Sequence, residues 1–180
     1  MFKAKHLVLP PLLALAILGA ATPAKDAADA TAQLKAAKAA YDRKDYEKAQ
    51  EIWQPLAEAG NLSAQYNLAV LLRNKEDIVN QVKGRQWFEK AAAAGHVKAQ
   101  YALGQLYEKG EGVERDYGKA REWYEKAAEA GYAKAQYALG SLYEDGLGVD
   151  RDETKAREWY GKAAAQGHKN AQLALKRLQD

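Results

Sequence analysis

Cysteine is absent from the 180-residue chain. That excludes a disulfide framework, a thiolate nucleophile and a cysteine-ligated metal site, without identifying a compartment. Histidine is scarce, with three residues, and serine is scarcer. His96 and His168 each follow a glycine and read as surface residues at helix starts, too far apart in sequence for a natural metal pair. Ser63 and Ser141 have no neighbouring base, so no serine nucleophile is expected. A surplus of one charge is missing too. The formal charge of +3 includes Lys3 and Lys5; without them 25 basic residues face 24 acidic ones. No basic stripe remains to hold nucleic acid.

Long apolar runs are also missing, except for Leu7 to Leu18 at the N-terminus. Lys3, Lys5 and His6 precede that run, and Gly19-Ala20-Ala21 closes it with small residues. This order predicts a cleavable leader at 1–21, with Ala24 the second choice of cleavage site. Pro10 and Pro11 interrupt the run, and its length falls short of a membrane span. Export to the periplasm of a Gram-negative cell is the expectation. With no cysteine after the leader, neither a lipid anchor nor stable membrane insertion should follow cleavage.

What the chain has in abundance is itself. Gly95 to Ala130, GHVKAQYALGQLYEKGEGVERDYGKAREWYEKAAEA, returns as Gly131 to Gln166, each copy 36 residues long. A looser 35-residue copy occupies 60–94 and a truncated one 167–180. Self-similarity at this period marks a solenoid of helix pairs. In the first half of a unit, Ala99, Leu103 and Leu106 share one helical face; in the second, Ala120, Trp123, Tyr124, Ala127 and Ala128 do. Gly110 and Gly112 end the first helix around Val113, and Asp116 stands where an N-cap is needed. Gly146, Gly148, Val149 and Asp152 repeat the arrangement. Gly104 and Gly140 fall mid-helix at about 1 kcal/mol against alanine, which implies a helix contact too close for a side chain.

Around these copies the chain divides into a linker at 22–28, a hairpin at 29–59 capping the N-terminal end, repeats at 60–94, 95–130 and 131–166, and a capping helix at 167–180. Pro55 predicts a kink or break near Ile52 to Trp53. In the first repeat the connection Arg73 to Val79 lacks glycine, and Asn80 takes the cap position of Asp116. The fold class is all-α, with about nine helices and no strands. Trp53, Trp87, Trp123 and Trp159 recur at spacings of 34, 36 and 36 and read as a core stripe. Glu122–Lys126 and Glu158–Lys162 read as surface pairs along a helix.

The pattern AQYALG-x-LYE-x-G-x-GV followed by KAREWY-x-KAA resembles the Sel1-like repeat, a relative of the tetratricopeptide repeat. The resemblance runs from about Ala36 to the C-terminus, although AAYDRKDYEKAQEIW is closer to an ordinary tetratricopeptide hairpin. It implies a right-handed superhelix with a concave binding face, and a role as adaptor or scaffold. On that alignment the concave face carries Tyr66, Lys98, Tyr101, Gln105, Glu108, Lys134, Tyr137, Ser141 and Glu144. Tyr66, Tyr101 and Tyr137 would form a ladder along it, or pack between repeats instead. The expected partner is a protein, a peptide or an envelope component. Nucleic acid is not expected, and the chain should be monomeric or weakly self-associating.

No cofactor, metal or catalytic residue is expected. The run Asp145 to Glu153 lacks the spacing of a calcium loop. The alternative function is an enzyme or binding protein for β-lactams or peptidoglycan, because some cysteine-rich members of the family are linked to β-lactams. Those members depend on disulfides that this chain lacks.

Overall fold

Alanine and glycine decide how closely these helices approach, and the architecture follows their recurrence. The computed structural model describes residues 23–75 and 77–178; the leader expected at 1–21 lies outside them. The described residues form nine helices and no strand. They are α1 (Pro23–Asp42), α2 (Tyr46–Glu58), α3 (Leu62–Arg73), α4 (Ile78–Ala93), α5 (Val97–Lys109), α6 (Tyr117–Glu129), α7 (Ala133–Asp145), α8 (Glu153–Ala165) and α9 (Lys169–Arg177). Each helix makes its main contacts with its neighbours in sequence. The result is an α-solenoid in which α3, α5, α7 and α9 open the repeats and α4, α6 and α8 close them. No described helix is long and apolar enough to cross a membrane.

Helix ends follow the expected chemistry in the two central repeats. Asp116 and Asp152 cap α6 and α8, accepting from the amides of Lys119 at 2.9 Å and Lys155 at 3.0 Å. α5 and α7 end at Gly110 and Gly146, whose φ of 73° and 67° favours a residue without Cβ. Val113 and Val149 then pack onto the core.

The first repeat departs from the expectation. Its cap is Asp77, not Asn80; Asp77 accepts from the Asn80 amide at 2.8 Å and from its side chain at 2.6 Å. α4 therefore begins earlier and reaches 16 residues against 13 for α6. Without a glycine in the connection, nothing stops helical backbone from extending upstream to the nearest carboxylate.

Two further expectations are overturned. Of the expected linker at 22–28, residues 23–28 are helical, because α1 already starts at Pro23; Thr22 lies outside the described residues. Proline is tolerated in a first helical turn, where its missing N–H has no partner to lose, and the Ala, Lys and Asp after it sustain the helix. Nor is there a break near Ile52: α2 runs unbroken through Pro55 to Glu58. Pro55 is exposed, so the Glu51 carbonyl left without its amide donor is on the solvent side of the helix.

The core consists of alanine faces around one large ring per repeat. Those rings are Trp53, Phe88, Tyr124 and Tyr160, each no more than 1% exposed. Trp87, Trp123 and Trp159 are only half-buried, which corrects the tryptophan stripe. A lysine three residues on covers each of them, with ammonium-to-ring distances of 4.3, 4.2 and 3.8 Å for Lys90, Lys126 and Lys162. Lys126 and Lys162 thus stack on tryptophan rather than pairing with Glu122 and Glu158. In register, Trp53 corresponds to Phe88 at a spacing of 35, not to Trp87 at 34.

The mid-helix glycines mark the closest approaches. A Cβ on Gly104 would sit 2.4 Å from the Tyr124 ring, and one on Gly140 would sit 2.7 Å from the Tyr160 ring. In the first repeat the small residue has changed sides. Ala69 stands at the Gly104 position, and α4 carries Gly84 where α6 and α8 carry Ala120 and Ala156. A Cβ on Gly84 would lie 2.9 Å from the backbone of Ala69 and Arg73.

Candidate interaction face

Each of α3, α5 and α7 presents one tyrosine between two other rings. Tyr66 lies 5.8 Å from Phe88 and 4.9 Å from His96. Tyr101 lies 5.6 Å from Tyr124 and 5.2 Å from Tyr132. Tyr137 lies 5.5 Å from Tyr160 and 4.8 Å from His168. The first ring of each pair belongs to the same repeat, the second to the start of the next. The ladder therefore packs between repeats, with all three tyrosines half-buried. Burial raises the pKa of Tyr66 and Tyr101, so both are neutral phenols at physiological pH.

The polar residues below the ladder are joined through it. Gln105 donates to the Tyr101 hydroxyl at 3.1 Å. The buried Tyr124 hydroxyl donates to Glu108, and Tyr160 donates to Glu144 at 2.7 Å. Arg177 reaches Glu144 from α9 at 2.7 Å. Burial first, and the partner carboxylate second, push both phenols far above their ordinary value. Both hydroxyls therefore keep their protons and donate to the carboxylates. Tyr101, Gln105 and Glu108 thus form one connected group, as do Tyr137 and Glu144 through Tyr160. Ser141 donates to Asp145 at 3.4 Å. Lys98 and Lys134 stand exposed in the first turns of α5 and α7. The first repeat replaces the Tyr–Glu pair by Phe88 and Arg73, whose guanidinium lies 5.9 Å from the ring.

Sequence reasoning missed two devices that hold the face in shape. Gln65, Gln100 and Gln136 are buried, and their side chains donate to Ala57, Ala92 and Ala128 carbonyls at 3.0, 3.3 and 3.1 Å. They add a second donor to carbonyls at the end of the preceding helix that already accept the Gly60, Gly95 and Gly131 amides. The signal was a glutamine after alanine at the same place in every copy. The second device is histidine as a cap: Nδ1 of His96 and of His168 accepts from the Ala99 and Ala171 amides at 3.3 Å. Tyr132 holds the same position in the third repeat without a side-chain cap bond. Among the described residues, no three His, Asp or Glu side chains group closely enough to hold a metal ion.

The family model described as Sel1 repeat matches 34–61, 62–96, 97–132 and 133–168. The chain belongs to the Sel1 repeat family. The N-terminal hairpin is matched as a Sel1 repeat as well, in contrast to the plain tetratricopeptide hairpin expected from its sequence. Sel1 repeat proteins generally mediate protein–protein interactions. Among solved structures, a Sel1 repeat protein from Oxalobacter formigenes is 40% identical, with a TM-score of 0.64, over 69% of this chain and 95% of that one. The protective antigen c5321 of uropathogenic Escherichia coli, which has the same repeat fold, is 30% identical with a TM-score of 0.53. That match covers 84% of this chain but 42% of the antigen. The cysteine-rich protein B of Helicobacter pylori is 26% identical over 71% of this chain and 92% of its own, with a TM-score of 0.57. A search of curated proteins finds no match.

Proposed function

We propose that the chain is a periplasmic interaction module, exported by a leader cleaved after Ala21, that holds a peptide, a protein segment or an envelope component. The binding face is the row Tyr66, Lys98, Tyr101, Gln105, Glu108, Lys134, Tyr137, Ser141 and Glu144 on α3, α5 and α7. One observation carries this reading: a half-buried tyrosine recurs on α3, α5 and α7, each ring fixed by two neighbours. Rigid aromatic side chains give contact area at small entropic loss, which is why tyrosine is enriched in binding hot spots.

Crosslinked pull-down from a periplasmic extract, with Tyr101→Ala and Tyr137→Ala beside the unaltered chain, tests it. Each variant should weaken capture by more than about 1 kcal/mol while keeping its helical spectrum. Full capture by folded variants would remove the face from consideration. Fractionation tests export: the chain should be periplasmic and shortened by about twenty residues. The enzymatic alternative has less support, because Glu108 and Glu144 are engaged by phenol donors.

A further inference from the structure

We propose that this face takes an acidic, extended protein segment whose carboxylates lie along the first turns of α3, α5, α7 and α9. The proposal rests on the interaction reading above and names the chemistry of the partner. Lysine predominates along that edge, where Glu58 and Glu129 close the preceding helices. The caps and the residues after them are Asn61-Leu62-Ser63, His96-Val97-Lys98, Tyr132-Ala133-Lys134 and His168-Lys169-Asn170, with three lysines and no carboxylate. The other end of the same helices carries Glu111, Glu114, Asp145 and Asp150 beside Lys109, Arg115 and Arg151. Lys98 and Lys134 are exposed, and neither enters an ion pair among the described residues.

Between α3 and α5 the edge opens into a cleft of about 390 Å³ lined by Ser63, Tyr66, Asn67, His96, Val97 and Lys98. The cleft is rich in donors. Because Nδ1 of His96 accepts the Ala99 amide, the neutral ring carries its proton on Nε2 and donates from there. Lys98, Ser63 and Asn67 add further N–H and O–H groups, and no Asp or Glu lines the cleft. Four donor-bearing side chains around one opening suit a carboxylate, which only accepts. Of the carboxylates on these helices, Glu108 and Glu144 already accept from Tyr124 and Tyr160, and Asp145, at the far end of α7, accepts from Ser141. Nucleic acid fits poorly: the row sets two exposed lysines and no arginine against Glu108 and Glu144, too little positive charge for a phosphate backbone.

The test uses the full chain and a fluorescent peptide of about ten residues alternating Glu with Leu, long enough to cross the row. Its controls are the same peptide with Gln, and with Lys, at every Glu. The Glu peptide should bind with an affinity that falls as salt rises. The Gln peptide should bind about tenfold more weakly, and the Lys peptide should not bind. Lys98→Glu with Lys134→Glu should reduce Glu-peptide affinity about tenfold without lowering the unfolding midpoint, since both side chains are exposed and acids suit a first helical turn. Equal binding of the Glu and Gln peptides would overturn the proposal, as would no binding of either. So would a charge-reversed chain that binds normally, or capture by phosphatidylglycerol vesicles in place of the peptide. If the lysine variants retain the extract partner that the tyrosine variants lose, the acidic segment fails and the interaction face survives.

Discussion

Gly104→Ala places two effects of similar size in opposition. Alanine is the better helix former, by about 1 kcal/mol in a helix interior. The new Cβ, however, would lie 2.4 Å from the Tyr124 ring, more than 1 Å inside ordinary carbon contact. The ring is held by Glu108 on one side and Tyr101 on the other. Overpacking of this kind costs about 1–3 kcal/mol, so the variant should be destabilised by up to about 2 kcal/mol. The first repeat supplies the compensation. There Ala69 is tolerated at the equivalent position, and Gly84 brings α4 against the backbone of α3. Adding Ala120→Gly should therefore restore part of what Gly104→Ala loses, although Ala120→Gly alone destabilises by about 1 kcal/mol through propensity. Urea unfolding of the four members of this cycle measures the coupling, expected to be at least about 0.5 kcal/mol in favour of the pair. If Gly104→Ala raises the midpoint, the Tyr124 ring is free to move and the close-approach argument fails. If the two effects simply add, the exchange in the first repeat does not compensate anything.

Three further outcomes follow from the same geometry. Gln166 donates to the Gly131 carbonyl at 3.0 Å and to Oε1 of Gln136 at 2.8 Å, whereas Oε1 of Gln100 has no protein partner. Ala130→Gln, at the position equivalent to Gln166, should therefore add about 1 kcal/mol, read as a rise of roughly 2–4 °C in thermal midpoint; no rise would show that Gln100 is satisfied by water. Burial and then Lys98 hold the His96 pKa below its usual value, so the unfolded chain takes up that proton first. Stability should be level above about pH 6.5 and decline as pH falls from there through the folded-state pKa; His96→Asn, which keeps a cap, should remove that decline in midpoints taken across the range. Tyr124→Ala should cost about 3–5 kcal/mol and Trp123→Ala clearly less, since only the first ring is fully buried; equal losses in urea would put Trp123 back in the core.

The helix pairs were legible because repetition supplied independent copies of each signal. The same Gly-x-Gly turn and Asp cap appear twice, and both function as expected. Reading failed where the copies agree too well. Trp and Tyr are adjacent in the two central units, about 100° apart around the helix, and identical copies do not say which ring faces inward. Only the N-terminal pair breaks the tie, with Trp53 followed by Gln54. Aligning tryptophan with tryptophan gave a spacing of 34 where Asp45 to Asn80 and Gly60 to Gly95 both give 35. The repeat period had already assigned Trp53 to Phe88, against residue identity. Asp77 was hidden for the opposite reason, since no other copy carries a cap there. The joins made by Gln65, Gln100 and Gln136 were visible as a repeated letter. What they bond to depends on the end of the preceding helix, eight residues earlier, a relation that only the turn geometry reveals.

The ladder of Tyr66, Tyr101 and Tyr137 was posed as either a binding surface or inter-repeat packing, and the geometry joins the two. A ring held by its own repeat on one side and the next repeat on the other cannot swing away, so little side-chain freedom is left to lose on binding. The same contacts make each ring part of the junction between repeats. Partner binding across several rings then fixes the junctions as well, and partner and solenoid stiffness become coupled by linkage. The junctions are unequal in this respect. Those at His96 and His168 combine a ring stack with a side-chain cap, whereas the one at Tyr132 has an edge contact and no cap bond. The Tyr101–Tyr132 junction is therefore the one with least to hold it before a partner arrives, and the one with most order to gain when a segment lies across it. Amide hydrogen exchange at the start of α7 should be faster than at the starts of α5 and α9 in the free chain. Bound partner should slow it most at that place. Uniform exchange across the three helix starts would mean that neither the cap nor the stack controls the stiffness of the solenoid.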